Sequence, residues 1–227
     1  MIKFSLFLLA LVLSVSLSAA PSREAFALEE RQVSGVPLDA FEWGDANLTI
    51  ELWARSPMIF SPVSMDFDAQ GRLWLTEGID YQRGLRTEGG RSIIVLEDKD
   101  WDGKADSSHV FVTDPDIRHA ALGIAVFDNQ IVLSSTPSII VYTDVNRNAV
   151  FDEGIDKREV FLTGFRDASH DHTLHAVVGA PSGQWHFSYG NRGADIKTKD
   201  GRHHISGCYY GYSDGIGKKS SDGEVYV

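Results

Sequence analysis

The fold of this chain is decided by Val63-Ser-Met-Asp-Phe67, Asp68-Ala-Gln-Gly71 and Arg72-Leu-Trp-Leu-Thr76. Apolar and polar residues alternate up to Phe67, the period of a strand, and a short segment ending in glycine returns the chain into a second apolar run. The pair reads as a β-hairpin. The pattern recurs at Leu122–Phe127 with Gln130–Ser134, and again at Leu174–Val178 with Gln184–Ser188. The turn residues Gly71, Asn129 and Gly183 are 58 and 54 residues apart. The first two hairpins are each followed by a third apolar run, Ser92–Leu96 and Ser138–Tyr142. An Asp/Asn-rich loop and a fourth run come next, His109–Val112 and Glu159–Leu162. Four strands per repeat is the unit of a β-propeller blade, which buries its faces only against neighbouring blades. The period exceeds the roughly 40 to 50 residues usual for a blade, and the loops account for the excess.

The reading is therefore an all-β chain holding about three four-stranded blades. A closed propeller has at least about four. The expectation is a partial propeller over residues 48–227, part of a longer protein and cut in the strand-like run Gly223–Val227. A β-sandwich is the competing architecture, but it does not explain the period.

The 227 residues, 43% of them apolar and 11% aromatic, are enough to bury a core. A net charge of −11 disfavours a nucleic-acid partner, which needs a basic surface. One cysteine, Cys208, excludes a disulfide framework, a Cys-rich zinc site and a Cys-x-x-Cys-His haem attachment within these residues. Lys3, the apolar run Phe4–Leu17 and the small residues up to Ala20 read as a secretory signal peptide over 1–20, with cleavage between 20 and 27. The run is too short for a membrane anchor, and no other segment is long enough to span. Residues 21–47 form an N-terminal segment, and the expected location is periplasmic or secreted.

Two loops carry oxygen ligands at positions 1, 3, 5 and 9: Asp98, Asp100, Asp102 and Asp106, then Asp144, Asn146, Asn148 and Asp152. Such side chains converge when a chain curls tightly, and calcium prefers oxygen donors. Position 12 holds His109 and Ile155 where an EF-hand has glutamate. The expectation is structural calcium, strongest in the first loop with its Gly103; the alternative is a turn that needs no ion.

Six of eight histidines lie between 170 and 204. For His170, His172 and His175 three readings stay open: a general base, a transition-metal site, or ordinary polar residues on a propeller face. On a strand His170 and His172 point one way and His175 the other. The long connection from Gly78 to Gly90 carries Arg83 and Arg86, which could contact an anionic cofactor or substrate or simply face solvent. Trp74, Trp101 and Trp185 read as core or loop-packing residues rather than sugar platforms.

Asp171-His172, His175 and the stretch from Ala180 to Asn191 resemble the histidine-bearing strand and following hairpin of the glucose/sorbosone dehydrogenase propellers. A nearer likeness is to the N-terminal propeller of the large secreted proteins of planctomycetes and verrucomicrobia named as membrane-bound dehydrogenases. It rests on Glu77-Gly-Ile-Asp-Tyr81, Leu96 to Asp106, and Gly190-Asn-Arg-Gly193. The resemblance implies a six-bladed propeller, often with a c-type haem domain further on, that oxidises a sugar or polyol. It also implies His172 as the base that removes the hydroxyl proton, pyrroloquinoline quinone as hydride acceptor and calcium beside it. His175, Asn191 and Arg192 would line the same face. The Gly-Arg that follows the histidine in the quinoprotein glucose dehydrogenases is replaced here by Leu174-His175. The 227 residues alone are expected to be catalytically incomplete. The alternative function is a non-enzymatic propeller, braced by calcium, that binds carbohydrate or protein.

Overall fold

The computed structural model describes residues 38, 41, 42, 44–78, 91–117, 121–166, 173–181, 183, 185–189, 194–198 and 201–205. The leader at 1–20 and the run at 223–227 lie outside them. Among the described residues no helix is long and apolar enough to cross a membrane.

The chain is all-β and propeller-like. Strands β1 (Pro62–Phe67), β2 (Leu73–Glu77), β3 (Arg91–Glu97) and β4 (Ser107–Asp114) form an antiparallel sheet in sequential order. Strands β5 (Gly123–Phe127), β6 (Gln130–Ser135), β7 (Ser138–Thr143) and β8 (Lys157–Phe165) repeat it. The repetition extends to detail. The fourth strand carries a bulge at the same place in both sheets, leaving Phe111 and Phe161 as the extra residues. Ser92 pairs its hydroxyl with Thr113 across β3 and β4 at 2.8 Å, and Ser138 pairs with Thr163 across β7 and β8 at 3.0 Å.

The two sheets and a third unit stack face to face. Ile93 and Val95 of β3 pack with Trp74 and Phe111 against Ile131, Leu133, Ile140 and Tyr142 of the second sheet. Ile94 and Leu96 point the other way, with Leu73 and Leu75, under Trp53, Met58 and Ile59. In β7 the same split sends Ile139 and Val141 toward the third unit. Both faces of the middle strands are buried, so their sequences are continuous apolar runs without alternation.

The third unit is described by the hairpin of β9 (Leu174–Gly179) and β10 (Trp185–Tyr189). Strands β11 (Ala194–Thr198) and β12 (Gly201–Ile205) do not continue that hairpin. They pair onto the free edge of β8, which makes the second sheet six-stranded. Among the described residues, four-stranded blades are thus complete in the first two units only. Gly164 permits the added pairing: its φ is +111°, and a Cβ there would sit 1.9 Å from the Asp195 carbonyl oxygen.

The first strands of successive units, β1, β5 and β9, lie side by side, as inner strands do around a propeller axis. No ladder joins β1 to β5, so side chains of β1 satisfy the edge instead. Ile124 N–H donates to Ser64 Oγ at 3.1 Å, and Val126 N–H to Asp66 Oδ2 at 2.8 Å. The polar face of β1 is therefore the seam. Its apolar face is open, with Met65 64% and Phe67 54% exposed.

Candidate functional site

The β1–β2 and β5–β6 turns, the 98–106 loop and the 144–152 loop meet at one end of the first two sheets. The loops are 46 residues apart and share one backbone path. Trp101 and Arg147 both have positive φ, 61° and 60°, as do Gly103 and Ala149, 86° and 60°. Asp98 accepts the N–H groups of Asp102 and Gly103 at 3.2 and 3.0 Å. Asp144 accepts those of Asn148 and Ala149 at 3.2 and 2.8 Å.

Side-chain chemistry then separates them. In the first loop, carboxylate oxygens of Asp98, Asp100 and Asp106 lie within 4.8 Å of one another, a hard oxygen set that fits a divalent cation such as calcium. Asp102, expected as a fourth ligand, is outside this cluster and accepts the Lys104 N–H at 2.9 Å. In the second loop, the Asn146 and Asn148 amides donate to Asp152 Oδ2 at 2.7 and 2.8 Å. These bonds hold the Asp152 carboxyl below the ordinary carboxylate range. The second loop is also anchored by protein. Phe151 N–H bonds Phe111 O at 2.9 Å, His109 Nε2 lies 2.9 Å from Ala149 O, and Ala149 is fully buried.

Between the loops is a cleft of about 430 Å³ whose lining includes Gln70, Arg72, Trp101, Asn129 and Arg147. Arg72 is locked in place: its Nε donates to Asp68 at 2.6 Å and its guanidinium carbon lies 5.7 Å from the Trp74 ring centroid. The buried Asp68 also accepts the Trp74 indole N–H at 2.9 Å. Burial would raise the Asp68 carboxyl, but the bonds from Trp74 and Arg72 outweigh it and hold it below the usual range. Arg147 makes two bonds to Asp128, at 2.7 and 2.6 Å.

Of the three tryptophans expected to pack, Trp74 is in the core and Trp185 stacks on Phe127 with centroids 5.5 Å apart. Trp101 packs a ring edge against Gly71 in the β1–β2 turn, outside the core, and is 75% exposed. A loop that curls around its own carboxylates has no core to offer the residue at its tip.

His172, Arg83, Arg86, Asn191 and Arg192 lie outside the described residues, as does His170. His175 is half-buried on β9, and its carbonyl lies where a Cβ on Gly123 would fall, at 2.9 Å. Leu174 N–H donates to Thr136 Oγ1 in the β6–β7 turn at 3.3 Å. Strand β9 thus begins at the end of the sheets opposite the cleft. Sequence reasoning also missed an inter-sheet link. Asp114, buried at the end of β4, accepts from Tyr142 Oη at 2.6 Å and Arg158 Nε at 2.5 Å, while Arg158 Nη2 bonds Asp116 at 2.6 Å. Nothing in the spacing of these residues marks it.

Residues 40–220 match the model of a domain of unknown function, DUF7133. No curated protein matches the chain. Among solved structures it is similar to the iodide structure of the Trichoderma reesei carbohydrate-active enzyme of family AA12, at 17% identity and TM-score 0.43, over 62% of this chain and 32% of that one. The calcium structure of that enzyme gives 16% identity and TM-score 0.43, over 62% and 31%. A candidate gluconolactonase gives 16% identity and TM-score 0.39, over 65% and 48%. The chain therefore spans about a third of the AA12 enzyme and about half of the gluconolactonase.

Proposed function

The chain belongs to the DUF7133 family, and from that premise we propose that it is the propeller portion of a secreted or periplasmic dehydrogenase that oxidises a sugar or polyol. The observation that carries the reading is the position of β9. The strand that follows Asp171-His172 is an inner strand, packed against β5 at Gly123. Ligand sites in such folds gather where inner strands converge and their connecting loops meet.

His172 is the general base. A neutral imidazole, with an ordinary pKa of about 6.5, can take the proton from a substrate hydroxyl at working pH. The hydrogen on the same carbon leaves as hydride, so the alcohol becomes a carbonyl. Pyrroloquinoline quinone, when bound, would supply the acceptor for that hydride. His175, Asn191 and Arg192 orient the substrate, and Arg83 and Arg86 offer charge to an anionic cofactor. A c-type haem domain of the longer planctomycete-type protein is the onward partner for the electrons. Calcium in the first Asp loop would be a brace, with Asp98, Asp100 and Asp106 as the residues to hold it.

The test is turnover of the protein expressed from its complete reading frame, with an artificial electron acceptor and a panel of sugars and polyols, with and without quinone and calcium. Quinone-dependent reduction of the acceptor is expected, and His172→Ala should lower kcat by about a hundredfold or more. Absence of turnover on every substrate, or an unchanged rate in His172→Ala, overturns the reading.

A further inference from the structure

The cleft between the two Asp loops lies at the opposite end of the sheets from the start of β9. It holds an exposed aromatic ring, Trp101, beside fixed polar groups on two neighbouring sheets. Its cations are matched: Arg72 by Asp68, Arg147 by Asp128, and Lys99 by Glu97 at 3.6 Å. No surplus positive charge is left to draw an anion. Its acids are likewise engaged, with Asp98 and Asp144 accepting loop N–H groups. Donors remain. Neither terminal nitrogen of Arg72 has a hydrogen-bond partner among the described residues, although its Nε bond and its place over Trp74 fix the guanidinium plane. Gln70 places a side-chain amide on the same wall of the cleft.

Ion-paired side chains with no surplus positive charge, set around an exposed ring, suit a ligand with many hydroxyls and an apolar C–H face. We propose that this cleft binds a neutral saccharide, with Trp101 stacked on a pyranose face and Arg72, Gln70 and Asn129 hydrogen-bonding its hydroxyls. Aromatic side chains present broad apolar area at low entropic cost, which makes Trp101 the anchor. The inference does not rest on the dehydrogenase reading, because the cleft lies at the opposite end of the sheets from Thr136 and Leu174.

Calorimetric titration of the wild-type chain with soluble cello-, xylo- and manno-oligosaccharides, and with a sulfated oligosaccharide, tests it. At least one neutral sugar should bind with Kd of about 0.1–5 mM. Trp101→Ala should weaken that binding about tenfold, and Trp101→Phe should restore most of it. Exposure of Trp101 makes folding of these variants expected, and thermal melting verifies it. Gln70→Ala, with an expected weakening of about threefold, serves as the second variant. The proposal is overturned by no saturable binding of any neutral sugar up to about 20 mM, by binding of the sulfated sugar alone, or by undiminished affinity in Trp101→Ala and Gln70→Ala.

Discussion

Asp114 shows how one residue ties two sheets together. It leaves β4 of the first sheet and receives Tyr142 and Arg158 from β7 and β8 of the second. Burial alone would raise its carboxyl, but hydrogen bonds from Arg158 and Tyr142, the Asp116 amide and the charge of Arg158 hold it below the ordinary value. Burial and the nearby carboxylate push the Tyr142 hydroxyl up, so it stays a donor throughout the working range. For a depressed carboxylate the sign is fixed. Its stabilisation is complete above the unfolded pKa of about 4 and is lost as pH falls through the lower folded value. Tyr142→Phe removes a hydrogen bond to a charged acceptor, so it should cost about 1.5–3 kcal/mol at pH 7. That cost should shrink as pH falls below about 4 toward the lower folded value, through which Asp114 takes up its proton. Urea unfolding of both proteins at pH 7 and near pH 3 measures it, and a loss independent of pH would assign the effect to packing instead.

At the scale of the element, the two Asp loops are one backbone solved with two chemistries. The first gathers three carboxylates with no side-chain amide among them, so charge repulsion opposes the curl unless a cation is present. The second has Asn146 where that cluster has Asp100 and Asn148 where the first loop has Asp102; both amides bind Asp152 directly, and the loop is pinned beneath β4 through Phe151 and His109. Calcium should therefore stabilise the protein through the first loop alone. At a hundredfold excess over Kd the gain is about 2.7 kcal/mol. For a chain of this size that is a rise in Tm of about 5–10 °C. Asp100→Asn should abolish the calcium-dependent rise, while Asn146→Ala should lower Tm in the presence and absence of calcium alike. Differential scanning calorimetry with calcium and with EDTA measures both, and an equal calcium response in wild type and Asp100→Asn would remove the brace. The loops were legible in sequence because four oxygen-bearing residues at fixed spacing leave few conformations. Gly103 already set the first loop apart, but the closure of the second was not legible, because it depends on which atom of each asparagine faces Asp152.

For the molecule as a whole, the repeat was legible because each middle strand, buried on both faces, leaves the same apolar run wherever a blade occurs. The seams were not legible: alternation sets Ser64 and Asp66 on the polar side of β1, and only the neighbouring β5 shows that they satisfy its edge. Nor was the placement of β11 beside β8, which turns on the backbone clearance at Gly164. Of the candidate catalytic chemistry, the sequence marked the histidine-rich segment by its composition, while the cleft at the other end drew no attention because Arg72, Asn129 and Trp101 are scattered along the chain. The stacked arrangement has a consequence for cooperativity. The core between the first two sheets and the core between the second sheet and the third unit are separate clusters that share only the second sheet. Gly123 lies at the second seam, where a Cβ would come 2.6 Å from Ala176 Cα and 2.9 Å from His175 O. Backbone cannot yield there without moving β9. Gly123→Ala should therefore cost about 1–3 kcal/mol through overpacking, and the cost should be local. Hydrogen exchange is the measurement: amides of β9 and β10 should lose protection, while those of β2 and β3, behind the Trp74 and Phe111 core, should keep theirs. Equal loss across all strands would mean that the units unfold as one body and that the seams carry no separate stability.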